Sequence, residues 1–285
     1  TYDILPSLKE VTPREGTSII SKDISLSVED GFADEAKLLI QNLKEMGYNV
    51  TDKGQTVIAL CHFPQNMQAK NDEHYRLDVK DKYITVSGGT PHAIFNGTQT
   101  LVSLLKKQTI PAKLENIAIN DYPDLLYRGM MLDIARNFTK KADLLKLINQ
   151  LAAYKINVLH FHFSDDEAWR LEIPGLEELT AIGSRRGFTE DESQCLYPVY
   201  YGGWNPNDTT ATANGYYTRE DFIEVLQYAA KRHITVIPEI ESPGHARAAI
   251  KAMEARFNRL KGEDMEKARE YLLSESADTS KYVSA

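Results

Sequence analysis

Apolar positions along the first 122 residues change period several times. Residues 17–28, "TSIISKDISLSV", predict extended chain, whereas Ala36, Leu39, Ile40 and Leu43 in "ADEAKLLIQNLKEMGY" recur at helical spacing. The short apolar run "TVIAL" predicts a buried strand, and "YRLDVKDKYITVSG" predicts two alternating strands folded into a hairpin at Asp81 and Lys82. "TPHAIFNGTQTLVSLLK" predicts a second helix capped by Thr90, with Pro91 in the first turn, where no amide donor is needed. Residues 1–122 thus predict a small mixed α/β domain. It carries neither an acid pair nor a Gly-rich phosphate loop, so a supporting role is expected.

"INDYPDLLYRG" is a boundary, with Asp121 and Pro123 as turn residues, and another rhythm follows. Strand "YRGMMLDIAR", helix "KADLLKLINQLAAYK", strand "INVLHFHFS", helix "REDFIEVLQYAAKRH", strand "ITVIPEIES" and helix "GHARAAIKAMEARFNRL" succeed one another, and Thr218 with Asp221 offers a capping box for the middle helix. Near-continuous apolar strand starts fit parallel strands buried on both faces. The pattern predicts consecutive β/α units of an open or barrel-closed parallel sheet. Each strand ends in polar groups: Asp133 and Arg136, then Asp165 and Asp166, then Glu239 and Glu241 ahead of "SPGH". Such ends are where a (β/α)8 barrel keeps its active site. The acids after "NVLHFHF" are therefore expected where the strand leaves the core for a solvent-filled cup. His160 and His162 share a face by the two-residue period and are expected to form a hydrogen-bonded layer supporting the acids.

Composition narrows the class. A chain of 285 residues that is 42% apolar and 9% aromatic can bury a sizeable core and reads as soluble and globular. Its formal charge of -8, with Lys and Arg scattered, argues against nucleic acid as a partner. No apolar run approaches the roughly 18 residues of a membrane span, and "TYDILPSLKE" has none of the zones of a signal peptide. Cys61 and Cys195 lack metal-ligand spacing and are expected to be one core thiol and one loop thiol, neither bridged nor zinc-bound. Residues 184–217 make a long connection, of the kind that is functional or mobile; Tyr200, Tyr201 and Trp204 are candidates to stack on a sugar, although loop aromatics more often pack the loop itself.

"RGMMLDIARNF", "YKINVLHFHFSDDEAWRLEI" and "YYTREDFIEVLQYAAKRHITVIPEIESPGH" resemble, in order and spacing, successive blocks of the family 20 glycoside hydrolases, the β-N-acetylhexosaminidases. The upstream unit is similar to the small domain preceding the barrel in that family. The resemblance implies that Arg136 binds hydroxyls of the terminal sugar, with Asp165 and His245 at positions that bond to that sugar or hold the catalytic groups. A guanidinium offers a rigid fork of donors to vicinal hydroxyls, and a carboxylate accepts from one. Asp133 is placed to orient Arg136. Glu239 and Glu241, two apart on one strand at roughly 6.5–7 Å, are poorly arranged to face each other across a glycosidic bond. Glu241 stands where the family more often has aspartate; Asp166 aligns with a support position, and Glu167 with a usual glutamine. Neither of the last two is read as a catalytic dyad.

The resemblance further implies no metal and no organic cofactor, a glycan ending in N-acetylglucosamine or N-acetylgalactosamine, and a periplasmic or extracellular location. It implies an exo-acting, retaining, substrate-assisted reaction, in which the 2-acetamido oxygen attacks the anomeric carbon. A glutamic acid then protonates the leaving oxygen, and the aspartate before it steadies the acetamide. That pair belongs to a Gly-Gly-Asp-Glu motif, whereas Gly88-Gly89 here precedes Thr90 and Gly202-Gly203 precedes Trp204, so no catalytic residue is assigned. Residues 123–285 fall short of the roughly 250 of a complete barrel. They are expected to be its first three β/α units, truncated and inactive alone, with open edges that self-associate or receive a missing C-terminal portion. Two other readings stand beside this one: a non-catalytic carbohydrate-binding or interaction module retaining Arg136, Asp165 and His245, and another (β/α)8 glycosidase with its acids at Glu239 or Asp166.

Overall fold

The computed structural model describes residues 4–198, 200 and 202–272. The chain divides into two compact units: Thr1–Arg128 with Asn149–Asn157 and Lys231–His233, and Gly129–Ile148 with Val158–Ala230 and Ile234–Ala285. In the first lie strands β1 (Glu10–Ile20), β2 (Asp23–Val28), β3 (Asn49–Val50), β4 (Thr56–His62), β5 (Tyr75–Lys80), β6 (Tyr83–Gly88) and β7 (Ala112–Asp121), with helices α1 (Ala33–Glu45) and α2 (Pro91–Lys106). They form a seven-stranded mixed sheet in the order β1-β7-β5-β6-β4-β2-β3. Pro13 sits on the edge strand β1, beside a register shift, where a missing donor is tolerated. The β5–β6 hairpin turns at Asp81, whose φ of 56° lies in the left-handed region that aspartate tolerates.

Alternation decides what this sheet buries. Ile58 and Leu60 of β4, Leu77 and Val79 of β5, and Ile84 and Val86 of β6 join Leu39 and Leu43 of α1 in one core. Thr90 caps α2, its hydroxyl accepting from the Ala93 amide at 3.1 Å. Gly97 lets α2 lie close to the sheet, since a Cβ there would stand 2.4 Å from Val86 Cγ1. Cys61 shares the less covered face of β4 with Val57 and Ala59 and is only half-buried, while Cys195 in the long connection is the buried thiol; both are free. The expected core and loop roles are thus exchanged in burial.

The second unit contains β8 (Gly129–Asp133), α3 (Lys141–Ala153), β9 (Val158–His162), β10 (Ser164–Asp165), β11 (Ala168–Trp169), α4 (Glu178–Ala181), α5 (Arg219–Ala230), β12 (Thr235–Glu239), α6 (Arg247–Leu260) and α7 (Met265–Arg269). Strands β8, β9 and β12 form a parallel sheet with β9 central. Thr218 and Asp221 exchange the capping-box bonds that start α5, at 3.2 and 3.0 Å. Leu159 and Phe161 of β9 are fully buried, Phe161 stacking on Phe222 of α5. The opposite face differs from expectation: Met131 and Ile237 flank His160 there and are 55% and 40% exposed. The apolar strand starts predict cover on both faces, but the described residues pack α5 against one only. No described helix is long and apolar enough to cross a membrane.

Candidate active site at the strand ends

Parallel register sets Asp133, His162 and Glu239 side by side in the last row of the three-stranded sheet. Asp133 accepts the amides of Ala135 and Arg136 at 2.9 and 3.1 Å through one oxygen, and Arg136 Nη1 at 3.0 Å through the other. This turn aims the guanidinium back over the sheet. Beyond β9 the chain reverses in the β10–β11 hairpin, with Ser164 opposite Trp169 and Asp165 opposite Ala168, so Asp166 and Glu167 form its turn. Arg136 meets two of these acids: Nη1 lies 2.8 Å from Asp165 Oδ2, and Nε lies 2.9 Å from Glu167 Oε2. Its Nη2 donates to no described residue, and its side chain is 28% exposed.

The histidines stand between the acids. His162 places Nε2 2.9 Å from Asp165 and Nδ1 2.9 Å from Glu239, and His160 reaches the same Glu239 oxygen at 2.7 Å. Glu241 stands 3.7 Å from His162, and its amide is anchored on Ser164 Oγ. His245 Nδ1 lies 3.2 Å from Asp165 Oδ1. Asp166 accepts the amide of Arg247, the first residue of α6, at 3.0 Å, and so fixes the segment carrying His245. Arg136, Asp165 and His245 are therefore contiguous, with Asp133, His160, His162, Asp166, Glu239 and Glu241 around them. One expectation is corrected: the acids are not in a solvated cup, since Asp165, Asp166 and Glu167 are 2%, 6% and 8% exposed. Arginine, histidine and amide partners make that burial affordable.

Burial opposes the charge on Arg136, yet Asp165, Asp133 and Glu167 hold its pKa above the ordinary guanidinium value. Burial likewise opposes charge on His162, but hydrogen bonds to Glu239 and Asp165 keep its pKa raised. On Glu239 burial works against ionisation and is outweighed by hydrogen bonding to His162, which lowers its pKa. Glu167 moves the other way: burial, aided by Asp165, raises its pKa against the pull of Arg136. Two groups bring three potential metal-ligand atoms within 4.8 Å, His162 with Glu239 and Glu241, and Asp165 with Asp166 and His245. Both ring nitrogens of His162 are already engaged by carboxylates, which makes it a poor ligand, and Arg136 already supplies the cation facing Asp165.

The sequence reading missed two arginines. Arg170 is fully buried and spends its donors on the carbonyls of Ile134, Ala135, Ser184, Ala213 and Gly215, at 2.9–3.0 Å. Burial, reinforced by Arg186, pushes its pKa down to about 9. Arg186 is equally buried and donates to the Arg136 carbonyl at 2.6 Å. Both tie the long connection to the segment carrying Arg136. The available signals were a lone cation inside the apolar run "AWRL" and the doublet in "SRRGF". Gly203 has φ of 87° and a Cβ there would fall 2.6 Å from Arg186 Cβ, which explains the second glycine doublet as a turn pressed against that side chain. Among the loop aromatics, Trp204 packs on Phe188 at 5.4 Å while 69% exposed, and Tyr200 lies 5.9 Å from the Arg186 guanidinium. Tyr201 falls outside the described residues.

The model of the glycosyl hydrolase family 20 catalytic domain matches residues 125–283, and that of domain 2 of the same family matches residues 1–122. The chain belongs to glycosyl hydrolase family 20. Among curated relatives, beta-hexosaminidase B of Pseudoalteromonas piscicida is 38% identical over 99% of this chain and 35% of its own length. N,N'-diacetylchitobiase of Vibrio harveyi is 37% identical over 97% of this chain and 31% of its own. The chain thus spans about a third of these relatives. Among solved structures, the GH20 exo beta-N-acetylglucosaminidase of Vibrio harveyi in complex with N-acetylglucosamine superposes with a TM-score of 0.77 at 31% identity, covering 88% of this chain and 38% of that one. The GH20 beta-N-acetylhexosaminidase of Streptomyces coelicolor A3(2) gives 0.69 at 29% identity, covering 87% and 48%.

Proposed function

We propose that this chain holds the terminal sugar for an exo-acting β-N-acetylhexosaminidase, with Arg136 as the anchor, Asp165 as the acceptor beside it and His245 as the third contact. The observation that carries this reading is the contiguity of these three side chains, 2.8 Å from Arg136 to Asp165 and 3.2 Å from Asp165 to His245. Arg136 Nη2 is the donor left for hydroxyls of a pyranose; Asp133 and Glu167 hold the rest of the fork. Support comes also from the relatives, which carry the names beta-hexosaminidase and N,N'-diacetylchitobiase.

In this reading the reaction is substrate-assisted and retaining, the acetamido oxygen of a terminal N-acetylglucosamine or N-acetylgalactosamine displacing the leaving group. The Gly-Gly-Asp-Glu motif expected to provide the proton donor is absent from these 285 residues. The chain alone is therefore read as binding without turnover, and the free edges of β8 and β12 as places for further strands or a second copy. The substrate class favours a periplasmic or extracellular setting.

The test is calorimetric titration of this polypeptide with N-acetylglucosamine, beside a chromogenic N-acetyl-β-glucosaminide assay. Saturable binding lost in Arg136→Ala, with no dye released, is expected. No binding by the wild type overturns the assignment, and steady dye release overturns the inactivity. A second reading is a non-catalytic sugar-binding module that retains Arg136, Asp165 and His245. A parent polypeptide that carries this sequence and never hydrolyses the glycoside would establish it.

A further inference from the structure

Phe188, Tyr197 and Trp204 of the 184–217 connection are 66%, 46% and 69% exposed, and they are exposed together. The Phe188 ring lies 5.4 Å from Trp204 and 6.4 Å from Tyr197, centroid to centroid. Single apolar side chains in solvent need no explanation, but a contiguous aromatic group at the surface marks a place where something binds. Its backbone is fixed in advance. The Gly187 amide donates to the Leu196 carbonyl and the Leu196 amide to the Arg185 carbonyl, both at 2.9 Å, while the Tyr197 amide donates to Glu192 Oε1 at 2.6 Å. Pro206 packs on Gly187, where a Cβ would stand 2.4 Å from Pro206 Cδ, and this seats the Trp204 segment beside Phe188. Rings carried on such a backbone lose little freedom on binding.

A cavity of about 340 Å3 adjoins Phe188, and Arg185, Gln194 and Asn207 put polar groups in its wall. Gln194 and Asn207 are exposed, and their side-chain amides bond to no described residue. Arg185 spends Nε and Nη2 on the carbonyls of Ala181 and Gln194, at 2.7 and 3.1 Å, and keeps Nη1. An apolar protein surface laid over these groups would strand them without water. A pyranose suits both halves, its C–H face lying on an aromatic ring and its rim of hydroxyls meeting amides that donate and accept. The connection also borders the strand-end site. Arg186 donates to the Arg136 carbonyl and the Phe138 amide to the Thr212 carbonyl, both at 2.6 Å, and Glu192, which holds the Tyr197 amide, pairs with Arg247, two residues from His245.

We propose that Phe188, Trp204 and the cavity beside them bind the second and later sugars of a β-linked N-acetylhexosamine chain. The inference rests on the reading of Arg136 as the anchor of the terminal sugar. The probe is the β-1,4 trimer of N-acetylglucosamine, titrated calorimetrically beside the monomer into the full polypeptide. The trimer should bind about tenfold more tightly; Trp204→Ala or Phe188→Ala should remove that gain and leave the monomer unchanged, and Trp204→Tyr should keep most of it. Trp204 is one of two tryptophans and Trp169 is buried, so the exposed indole reports directly: its emission should shift to the blue with the trimer and not with the monomer. A wild type that ignores the monomer yet binds the trimer through Trp204 keeps this platform and removes the anchor. A trimer that binds no tighter than the monomer, a gain that survives Phe188→Ala combined with Trp204→Ala, or a dimer that Trp204→Ala dissolves and the trimer leaves intact overturns the platform, whatever the fate of Arg136.

Discussion

The two units bury charge in opposite ways. In the first, Lys9, Arg128 and Lys155 each face a different acid, Asp124, Glu73 and Asp121, and burial, with His233 and Arg128 nearby, takes His92 down to about 4 although Glu73 lies 3.3 Å away. In the second, three carboxylates converge on Arg136, and hydrogen bonds to Glu239 and Asp165 raise the pKa of His162 against the effect of its burial. One-to-one pairing discharges a core. Crowding several acids on one guanidinium leaves a strongly polarised cluster, the arrangement that the sugar-holding role proposed for the second unit would use.

The largest effects should come from breaking the arginine scaffold of the second unit. Arg170→Met strands five buried carbonyls and should cost about 4 kcal/mol, read as a lower urea midpoint and faster proteolysis within 184–217. Lys155→Met in the first unit should cost about half as much, because Asp121 keeps the Tyr75 hydroxyl and the Lys9 amide. Equal losses would erase the contrast. Next comes Asp165→Asn, which removes the charge shared by Arg136, His162 and His245 and should weaken N-acetylglucosamine about 100-fold by calorimetry. Retained affinity would dissociate the acid cluster from sugar binding.

pH separates the units more gently. His92 has a folded value below its unfolded one, near 6.5, so the stability tied to its neutral ring is lost as pH falls from there toward about 4. The ring is stacked on His233 at 4.7 Å, with His233 in turn 3.0 Å from Glu35, and the effect should be on the order of 2–3 kcal/mol. His162 has a raised folded value, so its contribution is full below the unfolded pKa and disappears as pH rises through the folded one. Hydrogen exchange across pH should show first-unit amides loosening on the acid side, flattened by His92→Gln, and amides around β9 loosening on the alkaline side, flattened by His162→Gln. Parallel profiles in both units would refute the opposed pKa shifts of the two histidines.

These same clusters differ in how readable they were. Asp165, Asp166 and Glu167 announce themselves as a run at the end of an apolar strand, and the period of two put His160 and His162 on one face, as their shared contact with Glu239 confirms. Helix α2 with its Thr90 cap and the capping box at Thr218 were equally plain, because both are local. Glu73, Asn96, Asp121 and Lys155 are far apart in the chain and meet only through sheet pairing and helix packing, which no window along the sequence can see. Burial of the acids was misjudged for the same reason. Their partners Arg136 and Arg247 come from the turn after β8 and from the start of α6.

The smallest expected effect concerns Trp204, and it sharpens where the second unit's site ends. Its ring packs on Phe188 yet is 69% exposed, so Trp204→Ala should cost under about 1 kcal/mol in stability. If the Phe188–Trp204 pair only fixes the loop, N-acetylglucosamine titration will be unchanged by the substitution, since Arg136 is positioned by Asp133 and by Arg186, whose hydrogen bond to the Arg136 carbonyl does not involve Trp204. A several-fold loss of sugar affinity without loss of stability would instead extend the site onto the loop. It would make an exposed aromatic face, and not only the buried charges, part of what distinguishes this unit from the first.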